Sequence, residues 1–441
     1  MKIKKVPEEW AEYLRLPIRL EHGGSLRALY TGGNHELTLY AEAPDLRLGD
    51  HHLSGLHVTF ADRRLQLSSD VRLAKGTEVK DVGIYSDLQT DSIYTRISLG
   101  RDQHGVANGF VGIGTRLERV PLAGTKAGVL RTTFDLSPSL VRINGEDWTI
   151  APAHVHLQQG EVHVRGLDLS SAERRVSIDG ALSNQPNEHL NVALKKINLL
   201  YILQSAGVGF DMLDTDITGR AKASLRNGAV VATADVSSPA FFVKGVDVGT
   251  LRAGLTFDSR DGRLMIRGHV AQPDGGMADV SGYVRPAGGA GLDLSFDATR
   301  LRATFVGRFM DTLFDRVDGK ASGHVRLFGV FDEGVTVEGT ADVEEGCLGV
   351  RLLGTSYYFD HRLTFTPTSI QLDNIPMRDD EGHTGIAHGV IRHRFFDHFD
   401  LDLEARDMVQ MKVLQTKSKQ RLPFYGTAYG SGSAKLRGHL P

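Results

Sequence analysis

The chain is short of most residues that announce a chemistry. One cysteine in 441 residues, Cys347, excludes an internal disulfide framework and any cysteine-rich metal site. Proline is slightly low at 14, and Trp10 and Trp148 are the only tryptophans, too few for an aromatic sugar platform. Neither charge dominates: 51 Lys+Arg against 54 Asp+Glu leave a net −3, so no broad basic surface serves nucleic acid or anionic lipid. Long apolar runs are missing as well. The most apolar stretch, Ile197 to Phe210, is too short to span a bilayer and is broken by Gln204 and Ser205. The opening MKIKKVPEEWAEYL carries lysines but no apolar core, so it does not read as a signal peptide. The closing Gly438-His439-Leu440-Pro441 directly follows a strand-like run, and both ends read as cuts through a longer chain.

What the chain does have is glycine and alternation. Its 50 glycines make up about 11% against a usual ~7%, which suits many tight strand connections. Apolar and polar residues alternate at Leu37–Ala41, Leu56–Phe60, Val155–Leu157, Val162–Val164, Leu190–Leu194, Leu255–Phe257, Leu292–Phe296, Val325–Leu327, Val335–Val337 and Leu401–Leu403. Period two marks a strand with one dry and one wet face. Helical patterning is confined to Glu8–Leu14, Ile197–Gln204, Leu301–Arg316 and Asp407–Gln415. In the third of these, Phe305, Phe309, Leu313 and Phe314 are expected to face inward.

Three blocks align at a spacing of about 100 residues. Each opens on an apolar pair, Val162/Val164, Leu264/Ile266 or Ile370/Leu372. A strand ending at Gly180, Gly282 or Gly389 follows, then an alternating strand from Leu190, Leu292 or Leu401, then a Gly-x-Ala start at Gly219, Gly319 or Gly426. The four landmarks keep their register twice.

Many antiparallel strands with few helices predict an all-β, elongated, repetitive sheet that must curl around its own apolar face. A β-solenoid and an open U-shaped trough both satisfy that requirement. The organisation expected is a β-rich segment at 1–130, a repeat segment at 131–300 and an incomplete terminal region at 301–441.

The segment Phe305–Gly438 resembles the C-terminal region of the TamB family, the inner-membrane component of the translocation and assembly module. The likeness to versions in Bacteroidota-like envelopes is carried by VDGKASGHVRLFG, VTVEGTADVEEGCLGVRLLGTSYYF, LTFTPTSIQLDNIPMRDDEGHTGIAHGVIRH, FFDHFDLDLEARDMVQMKVLQT and PFYGTAYGSGSAKLRG. Phe134–Leu169 is similar to the family's repeat, and from there to Gly438 the likeness spans roughly two-thirds of the chain. The resemblance implies an AsmA-like bridge protein: a β-taco groove in the periplasm of a Gram-negative envelope, anchored in the inner membrane by a segment absent here. It further implies lipid transport, outer-membrane biogenesis and a BamA/TamA-type barrel partner.

Other chemistries find little support. His154, His156 and His163 could form a ligand set, but a hairpin's polar side accounts for them more simply. His383, His388, His393 and His398 recur every five residues, which suits neither a strand face nor a helix face, and read as scattered surface positions. Asp379-Asp380-Glu381 lacks the spacing of a calcium loop and reads as a solvated turn. Gly109, Gly112 and Gly114 do not form a phosphate-binding loop, and no nucleophile elbow is present.

The expectation is a non-enzyme without cofactor or metal whose working part is the apolar face. Val162, Val164, Leu190, Val192, Leu194, Leu255, Phe257, Leu292, Leu294, Phe296, Val325, Leu327, Val335, Val337, Leu401 and Leu403 would line a groove for phospholipid acyl chains. A periplasmic scaffold assisting assembly of outer-membrane barrels and autotransporters is the alternative. A β-helical adhesin fits less well, because its coils repeat near ~20–30 residues.

Overall fold

The computed structural model describes residues 2–3, 18–20, 22–32, 36–49, 51–72, 78–101, 107–121, 128–143, 146–205, 212–286, 289–396, 398–416 and 426–440. They form a nearly all-β protein of antiparallel strands. One seven-residue α-helix, Leu199–Ser205, and one 3-10 turn, Thr304–Arg308, interrupt them. No helix among the described residues is long and apolar enough to cross a membrane.

The chain divides into two units, residues 1–193 with 223–227, and residues 194–222 with 228–441. In the first, consecutive strands from Gly24–Thr31 to Ala107–Pro121 pair in order, with Leu26, Ala41, Val58, Leu67, Ile84, Ile97 and Val111 opposite one another in a single row. Directly paired residues share a face, so this row is one side of the sheet. The neighbouring row, Arg27, Tyr40, Thr59, Gln66, Tyr85, Arg96 and Gly112, is the other.

The repeat in the sequence corresponds to groups of strands. Glu161–Ser171, Arg263–Ala271 and Ser369–Arg378 open the three blocks, and each pairs with the strand that carries the landmark glycine. Val164 faces Gly180, Ile266 faces Gly282, and Leu372 faces Gly389. The third strand of a block is followed by the α-helix in the first and by the 3-10 turn in the second. In the third block that position, residues 417–425, lies outside the described residues.

The three glycines have φ of 108°, 141° and 136°. L-residues avoid that region, and a Cβ there would lie 2.1, 2.1 and 2.2 Å from the carbonyl oxygens of His189, Asp293 and Asp402. Glycine is required because any side chain there would collide with the backbone of the neighbouring strand.

Two expected helices are corrected. Leu301–Arg316 is split among the end of strand Gly291–Arg302, the 3-10 turn and the start of strand Phe314–Val330. Within it Val306, Phe309, Met310, Leu313 and Phe314 face the core cluster, whereas Phe305 is half-buried outside it. Asp407–Gln415 belongs to the nineteen-residue strand His398–Thr416. Its register slips between Ala405 and Met408 and again between Met408 and Met411, with positive φ at Asp407 and Gln410. Each bulge adds a residue, so the buried methionines recur at i, i+3 and imitate a helix. The expected helix Ile197–Gln204 starts at Leu199, where the Asn198 carboxamide oxygen accepts the Leu200 N–H. Glu8–Leu14 lies outside the described residues.

Replacing Gly282 with Ala should lower stability by about 1–3 kcal/mol, the range for a side chain forced into such a backbone region. Gly254→Ala is the control, since a Cβ there meets only an Asp235 carboxylate oxygen at 3.7 Å. Urea unfolding followed by circular dichroism should show an earlier midpoint for the first variant alone. Equal midpoints would mean that the backbone there is not strained.

Candidate functional site

In the second unit the pairing places most of the expected groove residues on one face. One row runs Val236, Ala253, Gly268, Val280, Phe296, Val325, Gly339, Phe365, Ile370, Ile391, Leu401 and Gly438, one residue from each strand from Ala229–Val243 to Gly426–Leu440. No polar side chain interrupts it. A parallel row holds Ala234, Leu255, Ile266, Gly282, Leu294, Leu327 and Val337. Phe257, Leu292 and Val335 lie on the next row through Leu264, Val284 and Gly329. Leu403 completes the face between Gly389 and Leu436. Val162 and Val164 belong to the first unit, opposite Leu157 and Val155. Leu190 and Val192 also fall in the first unit, and Leu194 begins the second.

The reverse side is polar. Its corresponding row reads Ser237, Arg252, His269, Asp279, Asp297, His324, Thr340, Thr364, Gln371, Val390, Asp402 and Arg437. Polar pairs tile it: the hydrogen bonds His269–Asp279 and His324–Asp297 at 2.8 Å, and the ion pair Arg362–Asp342 at 2.7 Å. Arg326 bridges Asp293 at 2.7 Å and Glu338 at 2.9 Å, and its hydrogen bond holds the Asp293 carboxyl below the usual range. Exposed pairs of this kind stabilise little. They identify the wet side.

The second unit curls toward its apolar face. Met310 and Leu313 are buried in one cluster with Ile370, Ile391, Phe399 and Leu401, flanked by Phe365, Leu372, Leu403 and Leu436. Five successive strands therefore converge on a single loop, Ala303–Leu313, which acts as a plug. The sequence already suggested Leu313, while Phe399 extends the alternation that ends at Leu401 and Leu403, and Ile391 pairs with Leu401 from the neighbouring strand. Outside the plug's cluster, Val280, Phe296 and Val325 remain half-buried.

Polar residues fasten one end of this face. Asp379, expected in a solvated turn, is instead buried. Its carboxylate accepts the N–H groups of Glu381 and His383 at 2.9 Å, the Lys412 N–H at 2.7 Å and His383 Nδ1 at 3.0 Å. Burial pushes its pKa up, but these donors outweigh burial and hold it below the carboxylate range. Lys412 Nζ reaches Asp380 and Glu381 at 2.7 Å, Tyr357 Oη donates to the Lys412 carbonyl at 3.0 Å, and the Gln415 N–H donates to the Leu353 carbonyl. The bulged strand is thereby latched over the 379–383 turn.

The histidines divide among several environments. His156 and His163 stack with centroids 4.3 Å apart, and burial followed by the charge of His163 lowers the His156 pKa. His154 pairs with Asp135 at 2.5 Å. Among the described residues no group of three or more His, Cys, Asp and Glu is arranged to hold a metal ion. His393 is not a surface residue. It shares the inner face with Ile391 because the two are two apart on strand Thr384–Arg394, and only 6% of it is exposed. Cys347 is buried within strand Gly334–Val350.

Comparison with protein-family models, with curated proteins and with solved structures returned no match. The resemblance to the TamB family therefore rests on the sequence segments quoted above.

Asp379→Ala should cost about 1–3 kcal/mol, because it strands buried N–H donors. The carboxyl pKa is depressed on folding, so its contribution is present above the ordinary carboxylate range and is lost as pH falls through the folded value. Limited proteolysis should detect faster cleavage within residues 407–416 in the variant at neutral pH. In the parent chain the same cleavage should quicken only in acid. Unchanged proteolysis of the variant would remove the latch from the account.

Proposed function

We propose that the apolar face of the second unit is a trough that shelters phospholipid acyl chains, as part of an envelope lipid conduit of the TamB type. The observation that carries this reading is the row of twelve apolar or glycine positions from Val236 to Gly438. An acyl chain exposed to water costs about 0.8 kcal/mol per CH₂. Rungs about 4.8 Å apart spread matching apolar surface along the face, so that cost stays low at successive positions. The lipid headgroup remains in water at the open side. No bond is made or broken, so the proposed protein is not an enzyme and needs no cofactor.

The periplasmic setting and a BamA/TamA-type barrel partner belong to the same proposal and follow from the sequence resemblance. Scaffolding of outer-membrane barrels and autotransporters is the rival role. The half-buried state of Val280, Phe296 and Val325 favours a lipid surface, because a purely structural sheet gains by covering such side chains.

Mass spectrometry of organic extracts from the purified chain should reveal co-purified phospholipid. Leu294→Asp places a charge on the apolar row and should reduce the bound lipid several-fold, since an unpaired charge among acyl chains is costly. Ser281→Asp lies on the polar face between Arg267 and Ser295 and should leave lipid content unchanged. Equal lipid in both variants, or none in the parent chain, would transfer the reading to a scaffold.

A further inference from the structure

The apolar face of the second unit is unevenly covered. Ile370, Ile391 and Phe399 are only 4, 5 and 2% exposed, and the plug Ala303–Leu313 is what lies over them. The plug is tethered where it meets the strands: the Ala303 N–H donates to the Gly319 carbonyl and the Arg351 N–H to the Leu313 carbonyl. Between these points its 3-10 turn lacks a side-chain cap. Lys244 touches it from outside, with Nζ over the Phe309 ring at 4.5 Å and 3.5 Å from the Arg308 carbonyl.

Beside the covered patch sits His393. Its ring stacks on Phe396 at 4.0 Å and leans toward Phe399. Nδ1 accepts the Phe396 N–H at 3.4 Å, which assigns the ring proton to Nε2. Nε2 is buried and finds no partner among the described residues. Burial holds the imidazole pKa below its usual value, so the neutral donor form persists at neutral pH. The adjoining turn is strained, with Phe395 and Phe396 both in left-handed backbone at φ 56° and 61°. A buried donor without an acceptor costs stability, and a strained turn adds to that cost.

We propose that the surface under the plug is an acyl-chain site, exposed when Ala303–Leu313 lifts, in which His393 Nε2–H donates to an oxygen at the head of the chain. The inference rests on the lipid reading of the trough and adds a defined position to it. Lifting the plug removes Met310 and Leu313 from Ile370, Ile391, Phe399 and Leu401, and an acyl chain restores equivalent apolar contact. The sheet regains its apolar cover, and the exposure of Met310 and Leu313 is the cost that binding has to offset. The hydrogen bond gained by His393 favours the ligand. The class recognised is a single long chain bearing an acceptor oxygen, either a free carboxylate or a phospholipid ester.

Equilibrium binding to the whole chain with three sixteen-carbon probes tests this. Palmitate offers a carboxylate, palmitoyl-lysophosphatidylcholine an ester, and hexadecyltrimethylammonium no acceptor. The parent chain should bind all three. His393→Leu should weaken palmitate about tenfold, the usual effect of losing one hydrogen bond to a charged group, and leave hexadecyltrimethylammonium within about twofold. A matching loss for the lysophospholipid extends the site to esters, and retention confines it to free carboxylates. Phe309→Ser loosens the plug and should tighten all three probes several-fold, with folding checked by circular dichroism. Without ligand, His393→Leu gives up the long Nδ1 bond to the Phe396 N–H but also removes a buried donor that has no partner among the described residues, so it should unfold close to the parent. Equal effects of His393→Leu on all probes, no effect on any, or weaker binding in folded Phe309→Ser overturns the site. If the parent chain binds none of the probes, the lipid reading itself fails and this inference falls with it.

Discussion

Residues that face one another across an antiparallel ladder share a side of the sheet, so each strand pairing commits every side chain of both strands. Phe296 opposite Val325 places Leu294 opposite Leu327 and Ser295 opposite Arg326. A slip of one residue would carry Asp293, Ser295 and Asp297 onto the apolar face and strand two charges and a hydroxyl there. The penalty for slippage grows with every alternating residue, and that penalty propagates from strand to strand. Ion pairs such as Arg326 with Asp293 and Glu338 reinforce the same choice from the wet side, although each is individually weak.

Register decides which side chains share a face. The landmark glycines add a backbone constraint to it. At Gly180, Gly282 and Gly389 the backbone takes a conformation closed to other residues and comes within contact of the adjacent strand. In the second and third blocks a large apolar residue stands on both sides of that glycine: Ile266 and Leu294 around Gly282, and Leu372 and Leu403 around Gly389. Close backbone approach and apolar flanks therefore recur together, which is why glycine and alternation repeat with the same period in the sequence.

This coupling explains what was legible in the sequence. Strand identity and facing depend on period two, a local signal, and LDLSF and LDLEA carry it without ambiguity. The repeat was legible because its landmarks are backbone requirements. Bulges were not legible, since a residue added in a strand resets the period, and two in succession gave Met408 and Met411 helical spacing. The plug was misread for a related reason: Val306, Phe309, Met310 and Leu313 form a helical stripe, but adjacent strands claim both ends of the segment. Asp379 and His393 were missed because their burial comes from strands distant in sequence. Lys412 reaches Asp379 across 33 residues, and the plug that shelters the His393 neighbourhood comes from the preceding block.

An apolar sheet face is ordinarily closed by a second layer. Among the described residues of the second unit one loop covers the rungs around Ile391, while Val280, Phe296 and Val325 stay half-buried between buried neighbours such as Ala278 and Leu292. The two regions are chemically the same surface, formed by the same rows and separated only by what lies over them. Apolar contact is non-directional, so a methionine and leucine from the plug and a run of methylenes satisfy these rungs equally well. On the proposed reading, exchange between them needs no energy source and no precise fit. For the same reason it has no preferred direction. On the proposed reading the sheet supplies the path and His393 the one polar stop along it, while net flow has to come from a difference in lipid supply and removal beyond this chain.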